Sequence, residues 1–166
     1  MPHYHSLGKI PPKRHTQFRQ PDGSLYSEQL FSTEGFSSNS SLLYHIHAPT
    51  KIVKAKEPVN VAPVAATSNI LKHRSFKGFK INPEADYLKS RKTVLFNNDV
   101  QLTLAAPTKG LTDHVFYKNA DTDEVLFIHE GTGTLKTQYG QIKFGYGDYV
   151  VIPRGTIYQV EFDGEN

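Results

Sequence analysis

Glu124-Val125-Leu126-Phe127-Ile128-His129-Glu130-Gly131 and, after an interval, Gly147-Asp148-Tyr149-Val150-Val151-Ile152-Pro153-Arg154-Gly155 decide the fold. Each is a short apolar run bounded by glycine or proline. Gly147-Asp148 turns the chain into a buried strand. Pro153 stops that strand because it has no N–H to offer a ladder, and Gly155 allows the backbone to reverse. Between the two runs, Gly131-Thr132-Gly133 leads into Leu135 and Thr137, and a Tyr139-Gly140 turn leads on to Ile142 and Phe144. Ile157, Val160 and Phe162 follow. Upstream, Val100, Leu102 and Leu104 alternate, and Val115 and Tyr117 mark a further strand. Short strands at this spacing predict an all-β antiparallel sandwich or barrel.

Working outward, Pro2, Pro11 and Pro12 exclude a helix from residues 1–15, which read as an extended N-terminal arm. Residues 16–28 read as a hairpin around Pro21-Asp22-Gly23. Residues 31–41 are Ser-rich and read as a polar loop, followed by a strand through Leu42, Leu43, Tyr44 and Ile46 that Pro49 ends. Pro58 and Pro63 make 51–66 an extended connector, and Ile70 to Ile81 is strand-like with a break at Gly78. Asn82-Pro83-Glu84 predicts one short helix through about Ser90, with Asn as its cap and Pro in its first turn. The chain thus divides into the arm 1–15, a β-rich segment 16–110 of the same domain, and a β-module 111–166. That module ends on a strand with no closing element, which is expected of a truncated module.

Composition narrows the function classes. The chain has 166 residues and no cysteine, so disulfides and thiolate chemistry are excluded. Its start lacks the apolar stretch of a secretory signal, and no apolar run reaches membrane-span length. A cytoplasmic protein without membrane association is expected. The net charge of +3 hides an asymmetry. Residues 1–110 carry 15 Lys and Arg against 7 Asp and Glu, and residues 111–166 carry 4 against 9. The basic residues Lys72, Arg74, Lys77, Lys80, Lys89, Arg91 and Lys92 are spread over several predicted elements without a nucleic-acid motif. They read as contact surface rather than as a nucleic-acid site. No phosphate-cradling glycine loop and no nucleophile elbow is present.

The spacing of Glu124 before Gly131, and of Gly147, Pro153 and Gly155, resembles the two motifs of the cupin superfamily. Metal-binding cupins add a His-x-His pair before the Glu and a His three residues after the last Gly. Here the upstream positions hold Tyr117, Lys118, Asn119 and Ala120, and the downstream one holds Tyr158. Glu124 alone remains, and one carboxylate without imidazoles does not hold a transition metal well. The other metal candidates are weak. His45 and His47 share one face of a predicted strand but have no carboxylate at the right spacing, which favours packing or interface roles. His114 is placed to approach Glu124, against the favoured reading of a hydrogen-bonded surface histidine. His129 alternates with Ile128 and reads as solvated. Arg154 is the candidate partner for a ligand carboxylate, against the plainer reading of a solvated turn residue.

A longer pattern is more specific. Gln17-Phe18, Pro21-Asp22-Gly23-Ser24-Leu25-Tyr26, Glu34-Gly35-Phe36-Ser37, Ser40-Ser41-Leu42-Leu43-Tyr44-His45 and Ile46-His47-Ala48-Pro49-Thr50 resemble the N-terminal region of homogentisate 1,2-dioxygenases, as do 123–133 and 147–156. The resemblance implies a cytoplasmic enzyme of tyrosine and phenylalanine catabolism. It opens the ring of homogentisate, a small aromatic acid, with O₂ to give maleylacetoacetate. It implies one non-haem Fe(II) on two His and one Glu, in a C-terminal part beyond Asn166. Residues 1–166 are then expected to bind no iron, to carry no catalytic residue, and to serve as scaffold and interface in a trimer-based homo-oligomer. The alternative is a metal-free cupin-like module for small-molecule binding or for assembly.

Overall fold

The computed structural model describes residues 17–49, 60, 62–111 and 114–164. The arm 1–15 and most of the expected connector, at 51–59 and 61, lie outside the described residues. The chain divides into two compact units, Met1–Val59 and Asn60–Asn166.

In the first unit the expected turn at Pro21-Asp22-Gly23 forms, with Arg19 and Leu25 bridged across it. The Asp22 carboxylate accepts from the N–H and hydroxyl of Ser24, which lowers its pKa. Strands β1 (Ser27–Glu34) and β2 (Ser37–His45) then pair antiparallel. The polar loop expected at 31–41 is therefore mostly strand. Gly35, at φ 63°, makes a two-residue turn with Phe36, and the serines around it sit in an antiparallel ladder whose register shifts between Ser32 and Glu34.

The second unit is built of β3 (Lys92–Phe96), β4 (Gln101–Leu104), β5 (Tyr117–Lys118), β6 (Glu124–Phe127), β7 (Gly133–Thr137), β8 (Gly140–Phe144), β9 (Tyr149–Ile152) and β10 (Ile157–Phe162). A four-stranded sheet has the order β5-β10-β7-β8, and its β10 pairs are antiparallel. A two-stranded ladder pairs β6 with β9, and another pairs β3 with β4. The all-β antiparallel architecture read from the two motifs is what the structure holds. β10 lies between two neighbours, and its Tyr158 and Val160 are almost fully buried. They pack with Leu135, Phe144, Val150, Ile152, Tyr87 and Leu111 in one core. Complete burial of each aliphatic side chain contributes about 1.5–3 kcal/mol.

Two glycines of the motifs have steric work. Gly155 turns the chain at φ 80°, where L side chains are strained. A Cβ on Gly133 would lie 2.2 Å from the Glu161 carbonyl oxygen, so only glycine lets β7 approach β10 there.

Two expectations upstream of β3 are corrected. The strand predicted over Ile70 to Ile81 is irregular, apart from a 3₁₀ turn at Gly78–Lys80. Ile70 and Leu71 are exposed and have no ladder partner among the described residues. The helix expected from Asn82 to about Ser90 is a single turn. Glu84 gives its backbone to a strand-like bridge instead. Its N–H donates to Ala106 O at 3.0 Å, and its C=O accepts from Thr108 N at 2.9 Å. Helical bonding survives as one α-type bond, Ser90 N to Asp86 O at 2.9 Å, followed by a 3₁₀-type bond, Arg91 N to Leu88 O at 3.4 Å. Asp86 caps the turn by accepting from the N–H groups of Leu88 and Lys89, each at 2.9 Å.

Candidate functional site

That turn is short but firmly held. Ser90 is fully buried, and its hydroxyl donates to Tyr87 O at 2.8 Å. Lys92, the first residue of β3, pairs with Glu84 at 2.9 Å. Tyr87 and Arg91 are four residues apart, and the turn sends both side chains toward the inner face of β6 and the centre of β10.

Glu124 opens β6 with its carboxylate on the same face as Leu126, opposite Ile152 of β9. Tyr158 comes from β10. The Arg91 guanidinium joins the two. Its Nη1 donates to Glu124 Oε1 at 2.7 Å, and its Nη2 donates to the hydroxyls of Tyr158 at 2.8 Å and Tyr87 at 2.5 Å. The Tyr158 hydroxyl donates to the second carboxylate oxygen, Oε2, at 2.8 Å. The guanidinium also lies over the Tyr87 ring at 4.5 Å and within 5.1 Å of the Tyr117 ring, as planar cations do on aromatic faces. The Arg91 and Glu124 side chains are only 20% and 12% exposed, so the pair is shielded from solvent screening.

The electrostatics follow from this enclosure. Burial pushes the Tyr158 phenol strongly up, with Tyr87 adding to the effect, so Tyr158 stays protonated as the donor to Glu124. Burial also raises Tyr117, with the Glu124 charge next. For Arg91, burial pulls the pKa down, but Tyr87, Tyr158 and Glu124 together outweigh it and raise it. The guanidinium is permanently charged.

This arrangement does not fit a transition metal. Both oxygens of Glu124 are engaged, the downstream motif position is a protonated phenol, and no imidazole joins them. Among the described residues no group of three or more His, Cys, Asp or Glu is placed to hold a metal ion. The weak candidates are not brought together. His45 ends β2, with its Nε2 at 2.9 Å from Gln29 Oε1. His47 lies beyond that strand and is exposed, so the expected two-His face does not form. His114 is exposed on a turn at φ 64°, and Glu124 spends its carboxylate on Arg91 and Tyr158 instead. His129 is exposed, stacked at 4.3 Å on Phe79. Arg154 is exposed, and its backbone N–H donates to Asp123 Oδ1 at 2.8 Å.

Sequence reasoning missed Arg91 and Tyr87. In the sequence Arg91 is one of several scattered basic residues, and Tyr158 stands where the motif of a metal-binding cupin has a histidine. The signal available was a lone carboxylate on the inward face of a strand, which requires a cationic partner from elsewhere in the chain.

An all-β module whose one inward carboxylate, Glu124, is closed by an arginine and a tyrosine is the class of protein that fold and site define. The chain belongs to the homogentisate 1,2-dioxygenase N-terminal family, whose model matches residues 6–166. A protein of Saccharolobus solfataricus named as a candidate dioxygenase is 36% identical over 159 residues, covering 96% of this chain and 41% of that protein. Homogentisate 1,2-dioxygenase of Dictyostelium discoideum is 24% identical over 155 residues, covering 84% of this chain and 35% of that one. The chain thus spans about two fifths or less of these relatives. A solved cupin-2 domain protein of Shewanella frigidimarina is 29% identical with a TM-score of 0.40, covering 46% of this chain and 72% of that one. No helix among the described residues is long and apolar enough to cross a membrane.

Proposed function

We propose that these 166 residues are the N-terminal part of a homogentisate 1,2-dioxygenase, which opens the homogentisate ring with O₂ to give maleylacetoacetate in cytoplasmic tyrosine and phenylalanine breakdown. The observation that carries the reading is the family match over residues 6–166. In this reading one Fe(II) is held by residues outside the chain described here, and residues 1–166 serve as scaffold and as interface in a trimer-based assembly. The closed Arg91–Glu124–Tyr158 cluster supports the scaffold role, since its donor set suits no iron. The interface role is supported by the outer face of β6 and β9. There Val125, Phe127, Tyr149 and Val151 are 61%, 50%, 69% and 64% exposed.

The test compares residues 1–166 with the same residues joined to the remainder of the polypeptide. Both are loaded anaerobically with Fe(II) and desalted, then assayed for iron and for homogentisate-dependent oxygen uptake. Iron and uptake only in the longer polypeptide are expected. Stoichiometric iron with uptake in residues 1–166 overturns the scaffold assignment. A longer polypeptide that binds iron but ignores homogentisate overturns the substrate.

A further inference from the structure

We propose that Glu124, Tyr158 and Tyr87 form a cation site whose ligand is the chain's own Arg91, a guanidinium built in where the fold's motif positions would otherwise present ligands to a metal ion. Glu124 and Tyr158 stand at two motif positions that supply metal ligands in metal-binding cupins, and these two side chains do converge, 2.8 Å apart. The cation between them is Arg91, at 2.7 Å from one and 2.8 Å from the other.

The residue types suit a guanidinium rather than a metal. A single carboxylate matches one positive charge, leaving the cluster neutral. Tyr158 accepts from Arg91 and donates to Glu124 through one hydroxyl, a relay that a neutral phenol performs. A planar cation can lie against the rings of Tyr87 and Tyr117, whereas a hydrated metal ion is not matched by two aromatic faces. Arg91 also comes from the turn before β3, outside the two motifs. Its pairing therefore fastens that turn to β6 and β10. The site thus selects a planar monovalent guanidinium ion, and the chain keeps it filled covalently.

Chemical rescue tests this. Arg91→Ala in the full chain is expected to lower the Tm by roughly 5–10 °C. Millimolar guanidinium chloride, far below denaturing concentrations, should recover at least half of that loss through mass action. Sodium chloride at equal ionic strength should not, and the wild type should show no gain. Rescue should vanish in Arg91→Ala/Glu124→Gln. No rescue of Arg91→Ala overturns the proposal. So does a larger Tm gain from Mn²⁺ than from guanidinium, which would reveal a metal site merely blocked by Arg91.

Where Arg91→Ala does not fold, Arg91→Lys, Glu124→Gln and the double variant carry the test as a cycle. The double variant should lose several degrees less than the sum of the single losses. Additive losses would mean that Arg91 acts by packing alone, and the proposal would fall. The readout is thermal, so its failure is distinct from any failure of the enzyme assignment.

Discussion

The two faces of the β6–β9 ladder carry almost the same chemistry and have opposite fates. Toward the interior point Glu124, Leu126, Val150 and Ile152; toward the outside point Val125, Phe127, Tyr149 and Val151. The outer set is the more uniformly apolar of the two, yet Val150 and Ile152 are 8% and 3% exposed while Val151 is 64% exposed. Alternation in a strand therefore says which residues share a face, and not which face the core takes. The polar residue is the better guide. Glu124 sits on the inner face because Arg91 and Tyr158 satisfy it there.

This contrast can be broken at three points. Ile152→Ala removes methyl groups from the inner face and should cost about 3 kcal/mol, read from urea unfolding with an unchanged slope. A loss below about 1 kcal/mol would mean that the inner face is not a packed core.

The alkaline limb of stability gives the next effect. Burial holds the Tyr158 pKa above its usual 10.0, so the folded state keeps a proton that the unfolded chain sheds. The stabilisation is complete below pH 10.0 and is lost as pH rises above it, toward and through the raised folded pKa. The slope from this group is about 1.4 kcal/mol per pH unit. Tyr158→Phe should flatten that limb, with the remainder owed partly to Tyr117. Equal slopes in variant and wild type would mean that Tyr158 is not shielded.

The smallest effect belongs to the outer face. Val151→Thr should change the stability of these 166 residues by less than about 0.5 kcal/mol. A cost near that of Ile152→Ala would show that the outer face is covered in solution.

The β-module from Glu124 to Phe162 was legible in the sequence because glycine and proline punctuate nearly every strand. The tight turns at Gly140 and Gly147 left little freedom in register. β2 was legible only in its apolar second half, at Leu42, Leu43 and Tyr44; β1 and the serine-rich first half of β2 were not. Their serines lack the alternation that marks a strand, and their pairing depends on cross-strand neighbours that a linear reading does not see. The helix at 82–90 failed because local capping signals were right for a turn, while Glu84 found a better backbone partner at 106–108. In the site, Glu124 and Tyr158 could be located by motif spacing. Arg91 could not, since it lies 33 residues from one and 67 from the other.

That last separation sets an order of events during synthesis. β10 is the last strand among the described residues and lies between its partners β5 and β7. At a translation rate of about 5–20 residues per second, the interval between making Arg91 and making Tyr158, 67 residues later, is roughly 3–13 s. The β7–β8 hairpin can close locally in that time, but the sheet waits for its middle strand. Until β10 emerges, the inner residues of β6 and β9 lack Tyr158 and Val160 as core neighbours. The nascent chain then holds a core short of its two most buried apolar side chains, beside an outer apolar face that stays exposed in the finished unit.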